Sequence, residues 1–191
     1  MSQVDNDGKN MLQWACKGGH VGMEECLLPQ YGVEIKNGYR PPLLQAAWRG
    51  HRDVCEFLVC MGANVSQVDD DAYNALHWGC QSGHLDVVKY LLSLCSLDIN
   101  SRGQGGETPL MKAAFRGHRV VFEFLVRKGA NVSQADDDGN NVLHYSSLGG
   151  HLEIVKHVIR ENMVNLKDRN KDGVTAAMMT TYVNTSSYRR L

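Results

Sequence analysis

The sequence predicts an all-α repeat solenoid of stacked helix-turn-helix units with β-hairpin loops, and three observations predict it. The dipeptide Gly-His recurs at 19-20, 50-51, 83-84, 117-118 and 150-151, at intervals of 31, 33, 34 and 33 residues. A fixed period of that length means supersecondary units that bury a shared core only by stacking. The same apolar pattern returns around each pair, most clearly in "GGETPLMKAAFRGHRVVFEFLVRKGANVSQ" at 105–134. Finally, "AAWRGHRDVCEFLVCMGANVSQVDDDAYNALHW" from residue 46 matches "AAFRGHRVVFEFLVRKGANVSQADDDGNNVLHY" from residue 113, an offset of 67 residues or two repeats. A pair of repeats has been duplicated.

Each element follows from that stretch in order. The glycine before Thr-Pro-Leu permits a tight turn, and Thr108 caps a helix whose early position holds Pro109, where a missing N–H costs nothing. Leu110, Ala113 and Ala114 share one helical face, and the small alanines let neighbouring helices approach closely. Gly117 ends this helix. A second helix follows, with Val120, Val121, Phe124 and Leu125 expected as its core stripe, and Gly129 opens the exit loop "GANVSQ". Repeat two departs from this plan, because "NGYRPP" puts Gly38 one residue early and Pro41 in the threonine position, so a remodelled hairpin is expected there.

The pattern resembles the ankyrin repeat, D-x-x-G-x-T-P-L-H-x-A-A-x-x-G-H followed by a V-V-x-x-L-L helix and a G-A-D-V-N exit. The resemblance runs through 1–191 as a single domain, with approximate repeats 5–36, 37–68, 69–101, 102–135 and 136–168 and a partial sixth at 169–191. It implies a curved array whose turn tips and inner helices line a concave surface. It also implies a non-catalytic protein-interaction module rather than an enzyme, expected to be a monomeric segment of a larger protein.

Composition narrows the partners. Lys plus Arg number 20 against 21 Asp plus Glu, for a net charge of -1 and a pI of about 6.7, which speaks against nucleic acid. No apolar run reaches the ~20 residues needed to span a bilayer, so no membrane association is expected. The polar start "MSQVDNDGKN" is neither a signal nor a transit peptide. Six cysteines at 16, 26, 55, 60, 80 and 95 show no C-x-x-C spacing, and they read as reduced, buried thiols of an intracellular, cytoplasmic chain.

Two clusters invite chemical readings. His77, Cys80 and His84 in "ALHWGCQSGH" fall on roughly one helical face and suggest a zinc site or an activated thiol. Yet the positions equivalent to Cys80 hold Cys16, Ala47, Ala114 and Ser147, which share small volume and no chemistry. In the ankyrin pattern the histidines are hydrogen-bonding struts. Likewise "DRNKDGVTAAMM" places Asp168, Asn170, Asp172 and Gly173 as in a calcium loop, but Met179 stands where the bidentate glutamate belongs. No metal, cofactor or catalytic residue is expected.

The candidate site is the row of inner-helix and turn residues. Odd repeats carry an aromatic at Trp14, Trp78 and Tyr145, and even repeats carry one three residues later, followed by arginine, as Trp48-Arg49 and Phe115-Arg116. Lys17, Gln81 and Lys112 are interleaved, and Tyr73 with Asp70 and Asp71 lies on the adjoining turn. Asp137 and Asp138 repeat that acidic tip. Large aromatics beside arginine dominate interface energies, so this row is expected to bind an extended peptide or a helix. Two sharper expectations stand beside it. Trp48, Trp78, Tyr73 and Asp71 could cage a methylated lysine, which resembles the ankyrin repeats of histone methyltransferases. Alternatively, Trp48-Arg49 and Phe115-Arg116 could stack a base and pair a phosphate, making the chain an anionic small-ligand or nucleotide sensor.

Overall fold

Thr108 begins the clearest repeat as its chemistry dictates. Its Oγ1 accepts the Met111 N–H at 3.3 Å, and the chain turns into a helix headed by Pro109. Asn74 and Asn141 do the same work where the other repeats lack threonine. Asn74 Oδ1 accepts the Leu76 and His77 N–H groups at 3.0 and 3.1 Å, and His77 Nδ1 accepts the Asn74 N–H in return. Such a reciprocal cap is worth about 1 kcal/mol. Pro41 takes the capping position in repeat two and brings no side-chain hydrogen bond.

The structure is a computed structural model that describes residues 41–94 and 96–183, with side chains through 180, and Gly18. The remodelled hairpin expected at 37–40 lies outside the described residues. The chain divides into two units, Met1–Asp98 and Ile99–Leu191. In the first, inner helices α1 (Pro42–Arg49) and α3 (Ala75–Ser82) pack side by side, each backed by an outer helix, α2 (Arg52–Cys60) or α4 (Leu85–Ser93). The second repeats this with inner helices α5 (Pro109–Arg116) and α7 (Val142–Leu148) and outer helices α6 (Arg119–Arg127) and α8 (Leu152–Arg160), and α9 (Ala176–Val183) packs against α7.

The hairpin loops are reduced to tight turns, each with an inner backbone bond, such as Ala72 N–H to the Asp69 carbonyl, and an outer one that closes it. Asp69 donates to the Tyr73 carbonyl, Gly103 to Glu107, Asp136 to Asn140 and Asn170 to Val174, at 2.9–3.0 Å. Asn170 Oδ1 also accepts the Asp172 and Val174 N–H groups, so the calcium-loop lookalike is a self-bonded turn.

The small residues of the inner helices are where helices meet. Ala46, Ala47, Ala75, Cys80, Ala113 and Ala114 are all wholly buried. Gly50 and Gly117 end α1 and α5 in the left-handed region, at φ +79° and +77°. A Cβ on either would lie 2.4 or 2.3 Å from Nδ1 of the next repeat's histidine, His84 or His151. Glycine there both reverses the chain and lets the ring lie flat against the backbone. His151 completes the strut by donating from Nε2 to the Phe115 carbonyl at 2.8 Å.

Two expectations about burial are corrected. On α6 the buried stripe is Val121, Phe122 and Leu125, whereas Val120 is 61% exposed and Phe124 is only half-buried. Counting from Gly-His explains this: Val120 occupies the spacer slot that holds Asp53, Asp86 and Glu153 elsewhere, and its valine imitates the start of the V-V pair. The thiols also divide. Cys55 and Cys80 are buried, but Cys60 is exposed at the end of α2, in the slot that Arg127 fills on α6.

Candidate functional site

The inner helices carry a four-residue ladder twice. In the first unit Asp69 Oδ2 accepts the Trp78 indole N–H at 2.8 Å, and Trp78 meets Trp48 edge-on with centroids 6.5 Å apart. The Arg49 guanidinium then lies 4.4 Å over the Trp48 ring. In the second unit Asp136 Oδ2 accepts the Tyr145 hydroxyl at 2.8 Å, Tyr145 meets Phe115 at 6.3 Å and 89°, and Arg116 lies 5.5 Å over Phe115. Acid, ring, ring and arginine recur in the same order at the 67-residue offset.

Local rules produce each rung. Asp69 and Asp136 are fixed before they meet an aromatic, because their Oδ1 atoms accept two N–H groups of their own turns, from Asp71 and Tyr73 or from Asp138 and Asn140. Trp78 and Tyr145 follow the capping histidine of α3 and α7, which points them back towards those turns. Trp48 and Phe115 sit one turn further along the preceding inner helices. Arg49 and Arg116 come last in α1 and α5, where the helix dipole favours a cation.

Burial sorts the sequence-predicted residues. Trp48, Phe115 and Tyr145 are half-buried, Arg49, Arg116, Asp70 and Asp71 are exposed, and Gln81 is partly buried one turn beyond Trp78. Trp78 and Tyr73 are each only 8% exposed, so neither is displayed. Tyr73 packs edge-on against Trp78 at 5.9 Å and tilts over His77 at 5.3 Å. The rings meet edge to face, and this corrects the methyl-lysine cage: Trp78 and Tyr73, two of its four expected walls, are buried against each other. Trp14 and Lys17 lie outside the described residues.

Lys112 is not a free cation of the surface. It is ion-paired with Glu107, and Glu107 Oε1 lies 3.0 Å from the Tyr145 hydroxyl. That hydroxyl therefore sits between two carboxylates with one hydrogen to give. Burial, the charge of Glu107 and the bond to Asp136 together push its ionisation far above the usual phenol range, so it stays a donor. Sequence reasoning missed Asp69, Asp136 and Glu107. It chose the neighbouring Asp70, Asp71, Asp137 and Asp138, because a run of aspartates does not say which one turns inward. The signal was present all the same: Asp69 and Asp136 both stand nine residues before the aromatic they hold.

His77, Cys80 and His84 do three separate jobs. His77 closes the α3 cap, His84 lies over Gly50, and burial raises the Cys80 thiol well above its normal value. Among the described residues no group of three His, Cys, Asp or Glu could hold a metal ion, and no helix is long and apolar enough to cross a membrane.

Comparison with known proteins finds similarity to segments of much longer chains. The palmitoyltransferase AKR1 of Lachancea kluyveri is 30% identical over 181 residues, covering 92% of this chain and 24% of that protein. AKR1 of Saccharomyces cerevisiae is 30% identical over 125 residues, or 61% of this chain and 16% of its own length. The ankyrin repeat and KH domain-containing protein mask-1 of Caenorhabditis elegans is 32% identical over 172 residues, covering 90% of this chain and 6% of that protein. The chain thus spans about a quarter or less of the relatives it matches. The expectation that the chain is not an enzyme is corrected by the AKR1 relatives, both of which are named palmitoyltransferases. Three copies of the ankyrin-repeat model match residues 1–69, 42–103 and 76–170, and the chain therefore belongs to the ankyrin-repeat family, whose repeats mediate protein–protein interaction.

Proposed function

We propose that this array is the partner-recognition segment of a longer protein, and that each of its ladders is a place where a stretch of another protein docks. One observation carries the reading. Each unit leaves a half-buried ring, Trp48 or Phe115, under an exposed guanidinium, while the acid and inner ring that support it are held from behind. Aromatic and arginine anchors of this kind contribute about 2 kcal/mol or more each when a partner covers them. Rigid support lowers the entropy lost on binding. The relatives favour a palmitoyltransferase as the longer protein, with the array selecting the protein that is modified. The array is read as a monomer in a reducing, cytoplasmic setting, in keeping with the buried Cys55 and Cys80 thiols.

The test compares proteins captured from cell lysate by the wild-type chain and by a Trp48→Ala/Phe115→Ala variant, read by quantitative mass spectrometry. The reading expects a defined set to be lost from the variant while its helical circular dichroism is kept. An identical captured set would reject the ladders as the binding surface. The same rings also suit a nucleotide sensor. Quenching of tryptophan fluorescence by ATP or oligoadenylate, with no protein lost from the variant's set, would favour that second reading.

A further inference from the structure

The two ladder arginines, like Arg127, make no ion pair among the described residues, but each of the two lies over an aromatic ring. Arg52 pairs with Glu56, Arg102 with Asp137, Arg119 with Glu123 and Arg160 with Glu161, while Arg169 donates to the Gly173 carbonyl. Among the described residues no carboxylate or carbonyl pairs with Arg49 or Arg116. Both are exposed, and both lie over a half-buried ring, at 4.4 and 5.5 Å. The last-turn position accounts for a positive charge, worth about 0.3–1 kcal/mol, but it does not require a planar guanidinium stacked on an aromatic. Contact with the ring holds each guanidinium beside Trp48 or Phe115 without using its N–H donors, which suit a carboxylate received through two parallel hydrogen bonds.

Resting on the interaction reading above, we infer that the partner is a peptide segment with an isolated carboxylate, meeting Arg49 or Arg116 with an Asp or Glu side chain and laying an adjacent apolar side chain on Trp48 or Phe115. The rest of the surface argues for isolated carboxylates rather than a polyphosphate or a nucleic acid. Each ladder ends on an aspartate, and the tips beside it expose Asp70 and Asp71 or Asp137 and Asp138. A polyanion reaching the guanidinium would bring its remaining charges against these acids. A peptide with one carboxylate followed by neutral or basic residues meets no such repulsion, and its basic residues find complementary tips. The duplication supplies the motif twice, so each arginine contributes separately.

The test is selection from a random-peptide phage library on the immobilised wild-type chain and on an Arg49→Glu/Arg116→Glu variant. Both positions are exposed, so the variant keeps its fold, which circular dichroism checks. Wild type is expected to enrich peptides with Asp or Glu beside an apolar residue, and the variant to replace the acid with Lys or Arg. Synthetic copies of the wild-type winners should bind each single variant about tenfold more weakly, the loss of one charge-assisted pair. Enrichment with no acidic bias, or the same acidic peptides on both chains, overturns this inference and leaves the groove standing. Recovery of no peptide above bare support overturns the groove reading and this inference together. Displacement of the selected peptides by equimolar ATP overturns the choice of carboxylate over phosphate.

Discussion

The two units carry one design in two chemistries. In the first, an indole N–H meets Asp69, and two tryptophans make the inner and outer rings. In the second, a phenol stands between Asp136 and Glu107, the outer ring is Phe115, and Lys112 anchors the extra acid. Gln45 and Lys112 are counterparts in the duplicated sequence, as are Trp78 and Tyr145. Lysine therefore arrives in the unit whose ladder carries a second carboxylate. What both units keep is the order of parts, an acid that aims a ring, which supports another ring under an arginine. The surface is conserved between the halves at its exposed end, while its buried end has been rebuilt.

The largest effect that sharpens this comparison belongs to the Tyr145 hydroxyl. Tyr145→Phe leaves the ring on Phe115 but removes the hydrogen that Asp136 and Glu107 share, so two partly buried acids face each other with no donor between them. A loss of about 1–3 kcal/mol in urea denaturation is expected. Adding Glu107→Gln should return part of that loss, since the amide NH2 can donate to Asp136, and the double variant should fall short of additivity. Tyr145→Phe with unchanged stability would mean that the two rebuilt ladders do not differ in any way that matters energetically.

Much of this was readable in the chain. The Gly-His period located the helices, and the 67-residue offset announced that every feature of one unit should have a counterpart in the other. Tryptophan burial was not readable. Whether Trp78 faces a partner or Asp69 depends on which of three consecutive aspartates the turn rotates inward, and periodicity carries no information about a turn's internal rotation. Val120 failed for a different reason: valine looks the same in a core slot and in a spacer slot, and only the count from Gly-His separates them. Glu107 was invisible because its two contacts, Lys112 and Tyr145, come from different repeats, the second 38 residues away.

A smaller effect sits in the acidic turns. Ala72 adopts φ +58°, the left-handed region that disfavours any Cβ, whereas its counterpart in the other unit is Gly139 at φ +84°. Ala72→Gly should therefore stabilise the first unit by about 1 kcal/mol. Gly139→Ala should cost about the same or more, because the new Cβ would also lie 3.2 Å from the Asn170 backbone. Thermal denaturation of the two variants gives opposite shifts if the turns are equivalent. Shifts of the same sign would show that the two turns differ in more than this one residue.

The smallest effect is a pH dependence in the second unit. His144 donates from Nε2 to the Val174 carbonyl at 3.2 Å, which ties α7 to the next turn. Burial lowers its pKa, and the Val174 bond with the charges of Asp136 and Asp168 only partly offsets this. A base whose folded pKa lies below its unfolded value of ~6.5 is protonated first in the unfolded chain. Its contribution to stability is complete above that value and is lost as pH falls through the window beneath it. Stability measured from pH 7 down to pH 5 should therefore decline, with part of the slope due to this one ring. His144→Gln keeps a side chain able to close the cap and removes the titration, so its curve should be flatter across that window. If the slope is unchanged in His144→Gln, the ring does not carry the acid sensitivity of this unit, and the cause lies among its paired carboxylates.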